Sequence, residues 1–304
     1  MNRRQFVQLA PAAVLAGSIL QSDNLYPQIN SKPPSIVWES DEVSVNFFVE
    51  LFKKAGGITK YLSGDIQKST VLIKPNLCLP HLPKNGTTTT PLALEYLCKA
   101  LIDSGVKKII IADHTLQKTS DFQNIELQQL PKKFPEVSLV LANEERWYSP
   151  LTVNGNVLKN TEILKIIPKA DLFINFATAK HHTATHVSLC VKNLMGAIWN
   201  RNDFHTKMDL QQACGDLPLV IKPHLNIIDA TRVLLSGGPT GPGPVISENK
   251  LFASEDILAV DSVVVSRYNF GGKSLKPTEV PHLLAAYKNQ AGEIEMTNIK
   301  LVKI

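Results

Sequence analysis

The 304 residues lack most of the signatures that announce a chemistry outright. Four cysteines, Cys78, Cys98, Cys190 and Cys214, stand far apart with no CxxC pair, which argues against a zinc ribbon and against a ferredoxin-type iron–sulfur cluster. A buried thiol is the plainer role for each, although an even number in an exported protein permits disulfides whose pairing sequence does not give. There is no HExxH motif, and no GK[ST] follows the glycine-rich stretch, so neither a zincin nor a P-loop is written here. Apolar runs long enough to cross a bilayer core of about 30 Å are missing too, and no stable membrane span is expected. Thirty-two basic and 27 acidic residues leave a net charge of +5 with no basic stripe, which makes no case for nucleic acid. Repeats and low-complexity tracts are absent as well.

What is present begins at the N-terminus. Asn2-Arg3-Arg4-Gln5-Phe6 precedes the mildly apolar stretch Leu9–Leu20, the order of a charged region followed by a hydrophobic one in a signal leader. The arginine pair predicts the twin-arginine export machinery as a partner and a periplasmic or otherwise extracytoplasmic location. Residues 1–33 are therefore read as leader and linker, and residues 34–304 as a single domain. From Ile36 onward, short β-branched runs alternate with helical patterns, which predicts an α/β fold with a mostly parallel sheet flanked by helices. Strands are expected at Ile36–Trp38, Val71–Lys74, Lys108–Asp113, Val137–Leu141, Leu172–Phe176 and Asn226–Asp229. Helices are expected at Val45–Lys54 and Pro91–Ser104, the second with Thr90 as N-cap and Gly105 past its end. Asn154-Gly155-Asn156 lies between extended runs in residues 147–161 and predicts a small inserted hairpin. A helical excursion is expected between Trp199 and Pro223.

Ligands of open α/β sheets sit beyond the carboxyl ends of the strands, so the residues just after each apolar run are the candidates. Val71-Leu72-Ile73 runs into Lys74-Pro75-Asn76, and Ile109-Ile110-Ile111-Ala112 into Asp113-His114. Leu172-Phe173-Ile174 is followed by Asn175 and then Lys180-His181-His182, and Ile227-Ile228 by Asp229. Polar residues also belong at strand ends simply because chains emerge into water there, but four such ends on one edge favour a site. His182 and His186 are four apart and, with His181, invite a metal reading; Asp113 is a further candidate ligand. A helix from His186 would carry Val187, Val191, Leu194 and Ile198 as its apolar stripe, with Asn193 on one flank and Lys192 on the other. Asp256 sits where a helix begins, and a capping role is expected there. Asp261 interrupts the apolar run Ile257–Val265, so it must meet a cation or bind something. The loop Ser236–Pro244 is too rich in glycine and proline for helix or strand, and Gly237, Gly238 and Gly241 could form a small anion-binding nest.

Taken in order, Val71–Asn76, Asn175 through Lys180-His181-His182, Val191–Gly196, Ile227–Ala230, the Gly237–Gly241 loop and Asp256–Asp261 resemble the uncharacterised family called domain of unknown function 362. The resemblance spans most of residues 35–270. It implies redox association, because many members resemble redox-associated proteins and some carry a ferredoxin-like segment with clustered cysteines. That cysteine cluster is missing here, which removes the iron–sulfur implication. Twin-arginine leaders occur in the family. Asp113-His114-Thr115 is also similar to the Asp-His-Thr of nickel-dependent lactate racemases, although Leu116-Gln117 stands where Arg-Pro would follow; the likeness has content only if His114 faces the other candidates.

These features predict a redox-associated or metal-dependent enzyme acting on a small anionic substrate. Its site would combine Lys74, Lys180, His181 or His182, Lys192, Asp229 and Asp261. The lysines would hold carboxylate or phosphate oxygens, a histidine would serve as acid, base or ligand, and the aspartates would orient a divalent metal or a lysine. Asn76, Asn193, Gly237, Gly238 and Gly241 are the candidate cofactor contacts, and His181, His182 and Asp113 the candidate metal ligands. The alternative is an extracytoplasmic binding or accessory protein that captures an anionic ligand without catalysis.

Overall fold

Period-2 runs and amphipathic stretches alternate along the chain, and they fold as strands and helices in that order. The computed structural model describes residues 33–304 apart from 63, 123 and 124, so all but the last residue of the leader and linker read at residues 1–33 lies outside the described residues. The strands are β1 (Ser35–Ser40), β2 (Thr70–Lys74), β3 (Lys108–Asp113), β4 (Val137–Leu141), β5 (Tyr148–Thr152), β6 (Asn160–Leu164), β7 (Leu172–His182), β8 (His186–Ser188), β9 (Leu225–Leu234), β10 (Val245–Ser254) and β11 (Ile299–Lys303). The helices are α1 (Val45–Lys54), α2 (Pro91–Asp103), α3 (Leu130–Lys133), α4 (Cys190–Asn193), α5 (Asn202–Thr206), α6 (Leu210–Asp216), α7 (Ile257–Arg267) and α8 (Pro281–Lys288).

Nine strands form one sheet in the order β11-β1-β10-β9-β7-β2-β3-β4, with β8 paired to the far end of β7. Pairing is parallel except where β10 meets β1 and β9 and where β7 turns back into β8, so the sheet is mostly parallel. Strands β5 and β6 pair antiparallel from Tyr148↔Leu164 to Thr152↔Asn160 as a separate hairpin. Asn154-Gly155 lies in the connection between them, as its turn chemistry predicts.

Side-chain alternation in the central strands divides the core in two. Val71 and Ile73 of β2 point to one face, where they join Phe47 and Leu51 of α1 and Leu97 of α2. Leu72 points to the other, joining Val191 of α4 and Leu258 of α7. All of these side chains are essentially sealed from solvent. Burial on that scale stabilises by roughly 1.5–3 kcal/mol per large apolar side chain, and truncating Leu72 to alanine would cost about 2–5 kcal/mol.

Helix α1 begins at Ser44, whose hydroxyl accepts from the Phe47 amide at 3.2 Å, and Phe47, Phe48, Leu51 and Phe52 form its buried stripe. The helical excursion between Trp199 and Pro223 is present as α5 and α6. The helix expected from His186 is not formed there. Strand β7 continues six residues beyond its expected end and doubles back through residues 183–185, so His186, at φ 63°, opens β8, and helix geometry starts only at Cys190.

The order of the sheet fixes where a ligand can lie. The chain steps outward from β2 to β3 to β4, then returns to place β7 on the opposite side of β2. The β2/β7 junction is thus a topological switch point, where connections leave in opposite directions and the carboxyl ends open a crevice.

Candidate functional site

Above that junction lies a cavity of about 400 Å³. Lys74 reaches it from the end of β2, Asp113 from the end of β3, and Lys180 and His182 from the extension of β7. Lys192 of α4, together with Arg201 and His205 at and within α5, forms the roof.

Lys74 and Asp113 are almost wholly buried, and Lys74 Nζ lies 2.7 Å from Asp113 Oδ1. Lys74 also donates to the Pro75 carbonyl at 2.9 Å, and Asp113 Oδ2 accepts from the Leu77 amide at 2.6 Å. Burial pushes the Lys74 pKa down, and the Asp113 carboxylate opposes that shift. Gly196 makes the pair possible: a Cβ there would stand 2.0 Å from Asp113 Oδ1 and 2.6 Å from Lys74 Nζ.

The remaining cations have no carboxylate of their own among the described residues. Lys180 donates to the Thr87 carbonyl at 2.8 Å and to Asn76 Oδ1 at 3.4 Å. Arg201 donates to the carbonyls of His114 and Thr115 at 3.3 and 3.4 Å. Among the described residues, Lys192 Nζ has only the Met195 thioether, at 2.8 Å. Burial, reinforced by the positive charges of Lys180 and Arg201, pushes the Lys192 pKa down. Four basic side chains therefore face one carboxylate, itself paired. Between them stand imidazoles that burial and nearby ammonium groups keep neutral. His182 is held down to about 3, and His205 is lowered in the same way. His182 Nδ1 accepts from the Ala184 amide at 3.1 Å, which leaves Nε2 to carry the proton of the neutral ring.

The profile of one family matches residues 71–266, well over half of the chain and the whole span that builds this cavity. The chain belongs to the family described as "Domain of unknown function (DUF362)". No curated protein matches this DUF362 chain. Among solved structures it is similar to the lactate racemase apoprotein from Thermoanaerobacterium thermosaccharolyticum, at 15% identity and a TM-score of 0.41. The similarity covers 78% of this chain and 58% of that one, so the DUF362 chain spans less than two thirds of that protein's length.

The residues expected to converge do so only in part. Lys74, Asn76, Asp113, Lys180, His182, Lys192 and Asn193 all line the cavity. Asn193 spends its amide on Asn175 Oδ1 at 2.9 Å and on the Lys74 and Pro75 carbonyls, so it braces the wall. That Lys192 and Asn193 share the cavity corrects the expectation that they point apart, because α4 starts four residues later than expected.

His181 is not with the others. Strand alternation turns it to the opposite side from Lys180 and His182, where its Nδ1 accepts from the Gly238 amide at 3.2 Å. Asp229 and Asp261 are not with them either. Asp229 accepts from the Thr90 and Thr231 amides at 2.6 and 2.9 Å and so holds the start of α2. Asp261 accepts from the Cys190 and Val191 amides at 2.8 and 2.9 Å and caps α4; burial raises its pKa to about 7. Asp256 caps α7 through the Leu258 and Ala259 amides, as its position predicts.

The glycine loop forms no anion nest from the expected amides. The Gly238 amide serves His181, the Gly241 amide closes on the Gly237 carbonyl at 2.9 Å, and none of the three glycines is among the residues that line the cavity. The loop contributes Pro239 to the cavity instead. Glycine is required at 238, where a Cβ would fall 1.8 Å from the His181 carbonyl.

A divalent metal does not fit this donor set. Among the described residues no three His, Cys, Asp or Glu side chains are grouped to hold one. Asp113 is committed to Lys74, His181 faces away, and unpaired cations beside His182 would repel a metal ion. His114 stays apart as well: its ring stacks on Trp199 at 5.2 Å, and its Nδ1 meets the Ile198 carbonyl at 2.8 Å.

Cys78, Gly196, Arg201 and His205 are site residues that sequence reasoning missed. Cys78 follows Lys74 by only four positions and could have been included with the strand-end residues. Arg201 and His205 come from a stretch of weak periodicity that carried no signal. All four cysteines are free thiols, three of them buried.

Proposed function

We propose that the cavity binds a small organic anion through carboxylate or phosphate oxygens. The observation that supports this most directly is that Lys180, Lys192 and Arg201 lie around one space without a carboxylate partner among the described residues. Three basic groups desolvated together are unfavourable in their charged forms unless an anion joins them, so the arrangement favours a ligand that brings the missing charge. The space is at the lower end of the ~300–1,000 Å³ typical of small-molecule sites, which suits a compact ligand. The neutral imidazole of His182, with its proton on Nε2, adds an uncharged hydrogen-bond donor to the cations around that anion.

Titration calorimetry on the folded chain tests the reading, with inorganic phosphate and pyruvate as anions and pyruvamide as the uncharged control. The anions should bind with an affinity that falls as salt rises, and Arg201→Gln or Lys180→Gln should weaken binding at least about tenfold. Binding of pyruvamide as tight as pyruvate, or no binding of either anion, refutes it.

We propose further that the protein is exported in folded form, on the support of the Asn2-Arg3-Arg4-Gln5-Phe6 leader. Replacing both arginines with lysine should retain the protein in the cytoplasm on fractionation. Unchanged location would refute export by this route.

A further inference from the structure

Lys74 and Lys180 are engaged by oxygen acceptors. Lys74 is held between Asp113 and the Pro75 carbonyl, and Lys180 between the Thr87 carbonyl and Asn76. Lys192 differs: its nitrogen is buried and lines the same cavity, yet the one atom it donates to is the Met195 sulfur. A thioether is a weak acceptor and carries no charge, so nothing at that position holds the protonated form in place. Burial and two neighbouring cations act together to favour the free amine. A free amine is a nucleophile, and the adjoining cations supply the counter-charge for a carboxylate attached to an electrophile.

We propose that Lys192 forms an imine with the carbonyl carbon of a 2-oxo acid whose carboxylate is held by Lys180 and Arg201. The proposal rests on the anion-binding reading above and gives its ligand a class. The Lys192 nitrogen attacks the carbonyl carbon, forming the C–N bond while the C=O π pair moves to oxygen. The proton left on nitrogen moves to that oxygen within the adduct, giving the neutral carbinolamine, and His182, which lines the same space with its proton on Nε2, donates a hydrogen bond to the oxygen as charge builds there. The carbinolamine then loses its oxygen as water as C=N forms, so amine and ketone become imine and water, with nothing oxidised or reduced. A proton taken up from solvent at the imine nitrogen gives the iminium, whose positive charge favours later proton loss from the adjacent carbon.

The test treats the full chain with pyruvate and sodium cyanoborohydride and maps the reduced adduct by peptide mass spectrometry, while phosphate binding is followed calorimetrically on the same preparation. Lys192 should be labelled to near stoichiometry, and acetone, which lacks the carboxylate, should label it at least about tenfold less under equal conditions. Lys192→Arg and Lys192→Met should both abolish labelling, since neither side chain can form the imine. Phosphate binding without an adduct at Lys192, or an adduct spread over exposed lysines or seated on Lys180, overturns the imine and leaves the anion reading standing. Absence of both phosphate binding and labelling overturns both.

Discussion

Two lysines buried in one cavity should respond to the same substitution with opposite signs. Lys74 is paired with Asp113 at 2.7 Å; Lys192 has a sulfur atom and no carboxylate. Changing Lys74 to methionine keeps the chain length of the side chain but leaves Asp113 buried beside an apolar group, and removing one partner of a buried pair costs about 3–5 kcal/mol. Changing Lys192 to methionine removes an amine whose charged form burial and two neighbouring cations disfavour, and replacing such a poorly compensated buried group by well-packed apolar atoms stabilises by about 1–4 kcal/mol. At roughly 2 °C per kcal/mol for a domain of this size, Tm should fall by about 6–10 °C in Lys74→Met and rise by about 2–8 °C in Lys192→Met. The Lys74→Met/Asp113→Asn double variant should recover most of the loss, because the stranded charge goes with its partner. Differential scanning calorimetry reads the shifts, and urea unfolding with an unchanged m-value confirms that the folded state is the one altered. If both single variants move Tm the same way, pairing is not what distinguishes the two sites, and the argument for an anion recruited by unpaired cations loses its footing.

The same contacts give three further expectations. Gly196→Ala should cost at least about 2 kcal/mol in urea unfolding, because its Cβ would enter the Lys74–Asp113 pair, and a loss under about 0.5 kcal/mol would show that the pair can move aside. His282 is wholly buried, and burial holds its pKa down to about 3 against roughly 6.5 unfolded. Its contribution is therefore fully present above about pH 6.5 and is lost as pH falls toward 3; His282→Gln should flatten the rise of unfolding free energy with pH between about 4 and 6 by up to ~1.4 kcal/mol per pH unit, and an unchanged slope would contradict the assignment. Asp261→Ala strands the Cys190 and Val191 amides and should cost at least about 2 kcal/mol, with protection from hydrogen exchange lost first in α4; uniform loss across the sheet would argue against a local cap.

Much of the fold was legible because it rests on local patterns. Strands β3 and β4 and helix α1 occupy the expected residues, since β-branched runs and a capped amphipathic stretch carry their own limits. Strand β7 runs past Phe176 because Ala177, Thr178 and Lys180 pair with β9 and β8, a tertiary effect that small and polar residues do not advertise. Strand β10, with Ser247 and Lys250 flanking a bulge, and the edge strand β11 were missed for the same reason. The site was half legible. Strand ends pointed to Lys74, Asp113, Lys180 and His182, which line one cavity because topology puts parallel strands' carboxyl ends on one edge. The aspartates were misread because an acid inside an apolar run looks the same whether it meets a cation or a backbone amide. Only the packing of α2 and α4 against the sheet decides that.

The capping of α2 by Asp229 and of α4 by Asp261 bears on how relatives of this chain should be sorted. A relative that keeps these helices needs acceptors for the same amides whatever it binds, so in this chain the two aspartates belong to the scaffold. They also sit in the stretches by which such chains are recognised. A relative matched on them shares an architecture and nothing further. On the anion-binding proposal, Lys180, Lys192 and Arg201 answer to the ligand instead, and substitution among these three is where a change of substrate would first be written.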